Sequence, residues 1–230
     1  DLHHIDHQKK ELLRNTHQFL HGLPANNALL WGPRGTGKSS LVKALLNAHM
    51  KDGLKMIEVE RQDLIDLPDI VEKLDGNDGK FVVFCDDLSF DGQDGTYRAL
   101  KVILDGSLLS TPDNVIIYAT SNRRHLMPEY SSDNLDAYHS DGEIHQSEAV
   151  EEKISLSERF GLWLSFQPFN QENYLNIVKY WLTDFDVAGA DEEDVRRAAL
   201  QWAMLHGSRS GRSAYQFAKD WAGRTGLESE

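Results

Sequence analysis

The chain contains the stretch Gly32-Pro33-Arg34-Gly35-Thr36-Gly37-Lys38-Ser39, which matches the phosphate-binding pattern G-x-x-x-x-G-K-[ST] at every fixed position. Glycine lets the backbone curve closely around a polyphosphate and point successive amide N–H groups toward it. We expect the Lys38 ammonium to contact the β- and γ-phosphates, and the Ser39 hydroxyl to complete the shell of a Mg²⁺ ion. The sequence therefore predicts that this loop, together with the adjoining Ser40, binds ATP and Mg²⁺.

The residues on either side of the loop have the pattern that such a site needs. Residues 28–31 are a short apolar run typical of a buried strand, and residues 39–49 carry apolar side chains at helical spacing. A helix in this position adds its positive N-terminal end to the anion site. The alternative is a chance glycine turn before a helix, but the complete pattern between a strand and a helix favours phosphate binding.

A pair of aspartates follows the apolar run from Phe81 to Cys85. Asp86 and Asp87 come directly after this run, and the ends of neighbouring parallel strands lie on one edge of a sheet. We predict that Asp86 holds Mg²⁺ through water and that Asp87 orients and polarises the attacking water. The other interpretation is that the two aspartates only cap the next helix. Cys85 is predicted to be a buried core thiol.

Apolar runs and helical patterns alternate along most of the chain, which predicts an α/β fold. Nearly continuous apolar runs are typical of a parallel sheet with helices on both faces. After Pro168 the pattern is helical, with three amphipathic stripes that predict a small bundle. We therefore predict a nucleotide-binding core over residues 1–167, a three-helix lid over 168–230, and a long, acidic and exposed excursion at about 129–153.

The charge balance and the apolar content limit the kinds of partner and location. The chain has 24 basic and 37 acidic residues, a net charge of −13, which speaks against coating a nucleic-acid duplex but is compatible with a local basic patch. No apolar run approaches the roughly eighteen residues of a membrane span. A single cysteine cannot form an internal disulfide, so a reducing cytoplasm is the expected location.

Longer stretches of the sequence carry a resemblance to a known superfamily. The loop, the Asp-Asp strand end, a strand that ends at Asn122, an arginine before the last strand and a helical C-terminal region occur in the order seen in AAA+ ATPases. The segments 84–90 (FCDDLSF), 119–126 (ATSNRRHL) and 151–162 (EEKISLSERFGL) resemble an uncharacterised bacterial family of predicted AAA+ ATPases. The resemblance covers nearly the whole chain and implies a P-loop NTPase core followed by an all-helical lid.

The resemblance implies roles for three residues outside the loop. Asn122 matches the polar residue called sensor 1, which senses the γ-phosphate and helps to hold the water. Arg159 matches the arginine finger, which is offered to the ATP of a neighbouring subunit. Arg212 matches sensor 2, which ties the lid to the nucleotide, with Arg209 as the alternative. The acidic pair of these ATPases usually ends in glutamate, so the shorter Asp87 leaves the rate of hydrolysis open.

Each of these residues also has a structural interpretation. An asparagine at a strand end often forms a turn, and an arginine near a helix end often pairs with a carboxylate such as Glu158. A solvated helix start can contain an arginine without any ligand. His3 and His7 are four residues apart, but no third ligand accompanies them, and we predict no structural zinc.

These features together predict an ATPase that forms a homo-oligomer and hydrolyses Mg-ATP between subunits to change the conformation of an unidentified protein partner. The alternative is a nucleotide-binding switch or scaffold with negligible hydrolysis. A small-molecule kinase is disfavoured because the middle of the chain lacks an arginine cluster for an acceptor. A GTPase is disfavoured because no Asn-Lys-x-Asp segment follows the strand that begins at Val115.

Overall fold

The structure is a computed structural model, and it describes residues 3–90, 95–105, 111–124, 126, 139–140, 143–144, 156–187 and 191–228. The described residues form two compact units. The larger unit contains those within 7–32 and 38–165, and the smaller unit contains those within 1–6, 33–37 and 166–230. Most of the predicted excursion at 129–153 lies outside the described residues.

The larger unit is built on a parallel sheet, as the apolar runs predict. Its five strands are β1 (Ala28–Trp31), β2 (Leu54–Val59), β3 (Lys80–Cys85), β4 (Val115–Ser121) and β7 (Leu162–Ser165). Their order in the sheet is β2-β3-β4-β1-β7. A separate antiparallel pair, β5 (His139–Ser140) and β6 (Glu143–Ile144), falls within the predicted excursion. All seven residues of β4 are buried, and each large aliphatic side chain buried in this way contributes about 1.5–3 kcal/mol.

Helices pack on both faces of the sheet. They are α1 (Asp6–Leu20), α2 (Lys38–His49), α3 (Leu67–Leu74) and α4 (Gly95–Asp105), with short 3-10 helices at Met50–Asp52 and Arg61–Asp66. Strand side chains alternate between the two faces, so Val83 and Ile117 share a core with α3 and α4. Tyr118 points the other way, where its hydroxyl lies 2.9 Å from the Thr16 hydroxyl of α1. The Thr16 hydroxyl also donates to the Leu12 carbonyl at 2.8 Å, so it links α1 to β4 through Tyr118.

The smaller unit contains the three C-terminal helices, α5 (Gln171–Asp184), α6 (Glu192–Leu205) and α7 (Gly211–Glu228). Side-chain N-caps start all three: Asn170 accepts from an amide of α5, Asp191 accepts from two amides of α6, and Ser210 accepts from an amide of α7. Most residues of the first and third predicted stripes are buried, whereas on α6 the buried residues are Ala199 and Ala203, and Leu205 is 80% exposed. Among the helices in the described part of the chain, none has the length and apolarity to cross a membrane.

Candidate functional site

The phosphate-binding loop has the backbone conformation that its glycines allow. Gly35 and Gly37 have φ angles of +77° and +100°, in the left-handed region that favours glycine. The Thr36 hydroxyl donates to the Pro33 carbonyl at 2.9 Å, which closes the turn on itself. Of the remaining predicted contacts, Pro33, Arg34 and Ser40 are exposed.

Lys38, the first residue of α2, is buried, and its contacts include hydrogen bonds to two neutral oxygen atoms. Its side chain is 6% exposed, and Nζ donates to the Gly32 carbonyl at 2.6 Å and to Asn122 Oδ1 at 3.3 Å. A buried ammonium is costly unless hydrogen bonds or an opposite charge compensate it. The structure therefore joins the loop lysine directly to the predicted sensor 1 residue.

Ser39 and Asp86, the two predicted magnesium residues, are hydrogen-bonded to each other. The Ser39 hydroxyl donates to Asp86 Oδ1 at 2.6 Å. The Thr120 hydroxyl donates to the same oxygen at 2.5 Å, and the Asp87 N–H does so at 3.1 Å. A hydroxyl and a carboxylate are the hard oxygen ligands that Mg²⁺ prefers, so this donor set fits the predicted ion.

Asp87, the predicted water-orienting residue, is held by its backbone and by its side chain. Its φ angle is +53°, a left-handed conformation that aspartate tolerates better than most residues. Its N–H donates to Thr120 Oγ1 at 2.9 Å, and the Asn122 side-chain amide donates to its carboxylate. Lys38, Asn122 and Asp87 thus form one continuous chain of hydrogen bonds.

The parallel sheet explains why these residues meet. The register pairs Trp31 with Ser121 and Cys85 with Ala119, so the carboxyl ends of β1, β3 and β4 lie at one edge. The Gly32 N–H also donates to the Ser121 carbonyl at 3.1 Å. The strand order departs from the chain order here, because β4 lies between β1 and β3. Ligands of open parallel sheets bind at the carboxyl ends of strands at such switch points.

Arg159, the predicted arginine finger, pairs with Asp105 at the end of α4. The sequence suggested a carboxylate such as Glu158 as a structural partner, and the structure shows a pairing of this kind with Asp105. The two side chains are 23% and 29% exposed, and a partly exposed ion pair of this kind contributes little to stability.

Arg212, the predicted sensor 2 residue, is the second residue of α7 and lies beside the loop within the smaller unit. The Gly211 N–H donates to the Gly35 carbonyl at 2.9 Å. A Cβ on Gly35 would lie 2.7 Å from Ser210 Oγ and 3.5 Å from the Cβ of Arg212, so only glycine fits here. The side chains of Arg212 and of the alternative, Arg209, are both exposed.

Three contacting residues were missed by the sequence reasoning. Thr120 bonds to both aspartates, while Ser210 and Gly211 approach the loop at Gly35. A polar residue inside an apolar strand is a signal for Thr120, and a serine before a helical pattern is a signal for Ser210 as an N-cap. Neither signal identifies the contact itself, because the contacts depend on strand register and helix packing.

Cys85 is a buried core thiol, as predicted. It is fully buried, and burial raises its thiol pKa to about 12. A thiol with so high a pKa is not a nucleophile near neutral pH.

Within the part of the chain that the structure describes, no group of three or more His, Cys, Asp or Glu side chains is placed to hold a metal ion.

Solved structures of AAA+ proteins are similar to this chain. A variant of RuvB from Thermotoga maritima matches with a TM-score of 0.56 at 15% identity, over 93% of this chain and 60% of that chain. The AAA domain of FIGL-1, solved in complex with ADP, matches with a TM-score of 0.57 at 18% identity, over 93% and 68%. The Aeropyrum pernix ORC1 protein, solved with DNA, matches with a TM-score of 0.52 at 16% identity, over 94% and 65%.

These likenesses show the fold, a parallel α/β P-loop domain of the AAA+ type with a small helical domain. The chain spans about three-fifths of the length of that RuvB chain. No curated protein matches it in sequence. A family model, in contrast, matches residues 1–225, nearly the whole chain. The protein therefore belongs to the family described as "Protein of unknown function (DUF815)".

Proposed function

We propose that this protein is an AAA+ ATPase that binds Mg-ATP at residues 32–39 and hydrolyses it between the subunits of a homo-oligomer. The observation that carries the proposal is the 2.6 Å hydrogen bond from Ser39 to Asp86, next to the buried Lys38 ammonium. A hydroxyl and a carboxylate are oxygen groups suited to Mg²⁺, and they lie at the end of a loop whose amides and lysine suit phosphates, which supports the proposal. The similar fold of the FIGL-1 AAA domain, which was solved with ADP, supports a nucleotide at this loop.

The polar residues at the sheet edge divide the chemistry between them. Lys38 and the loop amides bind the phosphates and neutralise their charge. Ser39 and Asp86 would hold Mg²⁺, which when bound neutralises charge on the phosphate oxygens. Asp87 orients the attacking water, and its carboxylate is itself oriented by the Asn122 amide. Asn122 also contacts Lys38, so it links the water-orienting group to the phosphate-binding group.

Two arginines complete the proposal. Arg159 stabilises the charge on the ATP of a neighbouring subunit, a contribution that is worth roughly a thousandfold or more for arginine fingers. Its present pairing with Asp105 has to open for this contact, and the partial exposure of the pair keeps that exchange inexpensive. Arg212, or alternatively Arg209, contacts the nucleotide from the helical unit and reports whether ATP or ADP is bound.

The output of the cycle is proposed to be a change of conformation in an unidentified protein partner. The net charge of −13 disfavours nucleic acid as that partner, because phosphate contacts need clustered Lys and Arg. The ORC1 structure contains DNA, but that contact belongs to ORC1. A reducing cytoplasm remains the proposed location because the only cysteine is a buried thiol without a disulfide.

Replacing the loop lysine tests the proposal directly. We expect Lys38→Ala to weaken ATP binding about a hundredfold, because it removes charge-assisted hydrogen bonds to the phosphates. Lys43→Ala is the matched control, since Lys43 is an exposed lysine of the same helix that pairs with Glu58 at 3.1 Å. Titration calorimetry with ATP and Mg²⁺ measures both. Equal affinity in the two variants would contradict the proposal.

A switch or scaffold with negligible hydrolysis is the second candidate function. The observation that favours it is Asp87, a shorter carboxylate than the usual glutamate, whose side chain is bonded to Asn122. Phosphate release, measured at protein concentrations where ATP and Mg²⁺ increase the solution mass, separates the two functions. Steady turnover favours the ATPase, and tight binding without turnover favours the switch.

A further inference from the structure

Thr120 is a buried polar residue for which the phosphate-binding pattern provides no role. It lies in β4, is 1% exposed, and follows a run of apolar residues in that strand. A hydroxyl buried in a sheet is costly unless it is hydrogen-bonded. We propose that Thr120 is a positioning residue that fixes the orientation of Asp86 and Asp87 for Mg-nucleotide binding. This inference rests on the proposed function.

Strand register brings Thr120 to the two aspartates. The last aligned pair of β3 and β4 is Cys85 with Ala119, so Asp86 comes next to Thr120. Side chains alternate between the faces of a sheet, and Thr120 and Asp86 lie on the face toward α2, where Ser39 bonds to the same carboxylate. The three oxygen atoms therefore meet because of the sheet and not because of a local sequence motif.

The direction of each hydrogen bond at Thr120 follows from its neighbours. Oγ1 accepts from the Asp87 N–H at 2.9 Å, so its single proton is available for Asp86 Oδ1 at 2.5 Å. One hydroxyl thus restrains the side chain of the first aspartate and the backbone of the second. The second restraint acts on a residue with a left-handed φ of +53°, a conformation that needs support from its surroundings.

These bonds leave the other carboxylate oxygen of Asp86 for a ligand. Ser39 and Thr120 both donate to Oδ1, and among the described residues no hydrogen bond reaches Oδ2. Donation by Ser39 also directs its proton to Asp86, so its oxygen lone pairs can face a cation. Without the Thr120 hydroxyl, the carboxylate loses a strong restraint on its rotation, and the Asp87 N–H loses an acceptor.

The experiment compares nucleotide affinity with and without Mg²⁺ for Thr120→Val and Thr120→Ser. Valine keeps the shape of threonine but removes the hydroxyl, whereas serine keeps the hydroxyl. Calorimetric titration with a non-hydrolysable ATP analogue, in Mg²⁺ and in EDTA, gives the factor by which Mg²⁺ increases affinity. We expect Thr120→Val to reduce that factor about tenfold, as for the loss of one hydrogen bond to a charged group. Affinity in EDTA should change by less than about twofold, and Thr120→Ser should restore the wild-type factor.

Thr16→Val is the matched control, because it removes another buried hydroxyl that contacts β4, through Tyr118. It should lower thermal stability without changing the Mg²⁺ factor. If the valine variant does not fold, Thr120→Cys replaces it, because a thiol is only a weak hydrogen-bond donor. We expect the same reduction in the factor by which Mg²⁺ increases affinity.

The proposal is overturned if Thr120→Val keeps the wild-type Mg²⁺ factor, if serine does not restore it, or if Thr16→Val lowers it equally. Failure of the inference and failure of the proposed function are distinguishable in this experiment. Wild-type protein that does not bind the analogue refutes both. Wild-type binding that depends on Lys38, together with an unchanged factor in Thr120→Val, refutes only the role of Thr120.

Discussion

The polar side chains at the sheet edge and the arginines with predicted roles differ in how the chain holds them. Lys38, Ser39, Asp86, Asp87 and Asn122 are hydrogen-bonded to one another or to the loop. The three arginines with predicted roles take no part in these hydrogen bonds, and two of them, Arg209 and Arg212, are exposed. One pairs with a carboxylate at a helix end, and in the part of the chain that is described, no hydrogen bond or ion pair involves the guanidinium of Arg209 or Arg212. The residues proposed to hold the metal and the water are thus ordered by contacts with one another, whereas Arg209 and Arg212 have no such contact among the described residues.

The difference has a physical reason. Serine, aspartate and asparagine have short side chains that lose little conformational entropy when they are ordered. The side chain of Lys38 is long, and it is ordered by burial and by its hydrogen bonds to Gly32 and Asn122. Arginine has a long side chain with about 2 kcal/mol of rotamer entropy, so an exposed arginine is ordered only when a strong partner offsets that loss. A nucleotide, or a second subunit carrying one, is such a partner.

The largest expected effect that tests this contrast is on Arg159. We expect Arg159→Ala to lower ATP turnover by roughly a thousandfold while ATP affinity changes little, because an arginine finger acts on the charge of the transition state. The measurement is steady-state phosphate release over a range of protein concentrations. Arg197→Ala, which removes an exposed arginine paired with Asp194, is the control. Turnover at the wild-type rate at every concentration would show that Arg159 is only a structural partner of Asp105.

A smaller effect distinguishes the two arginines of the helical unit. Arg212 is near the loop at its Cβ, so we expect Arg212→Ala to weaken ATP binding about tenfold through the loss of a charge-assisted hydrogen bond. Arg209→Ala should change the affinity less than about twofold. Competition against a fluorescent ATP analogue measures both variants. The reverse order of effects would assign the sensor 2 role to Arg209.

The smallest expected effect concerns Cys85, which precedes Asp86 but faces the core. Because burial raises its pKa to about 12, the thiol stays protonated in the folded protein at pH 8, and a thiol-specific reagent should label it only after unfolding. The thiol has a pKa of about 9 in the unfolded chain and about 12 in the folded protein. The raised pKa therefore contributes to the free energy of unfolding in full below about pH 9, and this contribution declines as the pH rises from about 9 to 12. Rapid labelling at pH 8 without denaturant would show that the strand end is more open than the structure indicates.

The sequence was most informative where a function depends on residues close together in the chain. The loop at 32–39, the strand before it, the helix after it and the pair of aspartates follow from local pattern and periodicity. The structure brings Ser39 of the loop to Asp86 and also shows a contact between Lys38 and Asn122. The parallel α/β fold could also be predicted, because nearly continuous apolar strands between helices leave few alternatives. The pairing of Arg159 with Asp105 could not be predicted from the sequence, because the two residues are distant in the chain and a single ion pair leaves no periodic signal.

By itself, the sequence determined the P-loop, the parallel sheet and the identity of the groups suited to phosphate and magnesium. Tertiary structure alone decided which of those groups touch one another, that Thr120 joins them, and that Gly35 leaves room for Ser210. The physical reason is that strand register and helix packing are set by the whole core, through many small contacts that no local segment encodes. The local sequence pattern determines which chemical groups the site contains, and the packing of the core determines the distances between those groups.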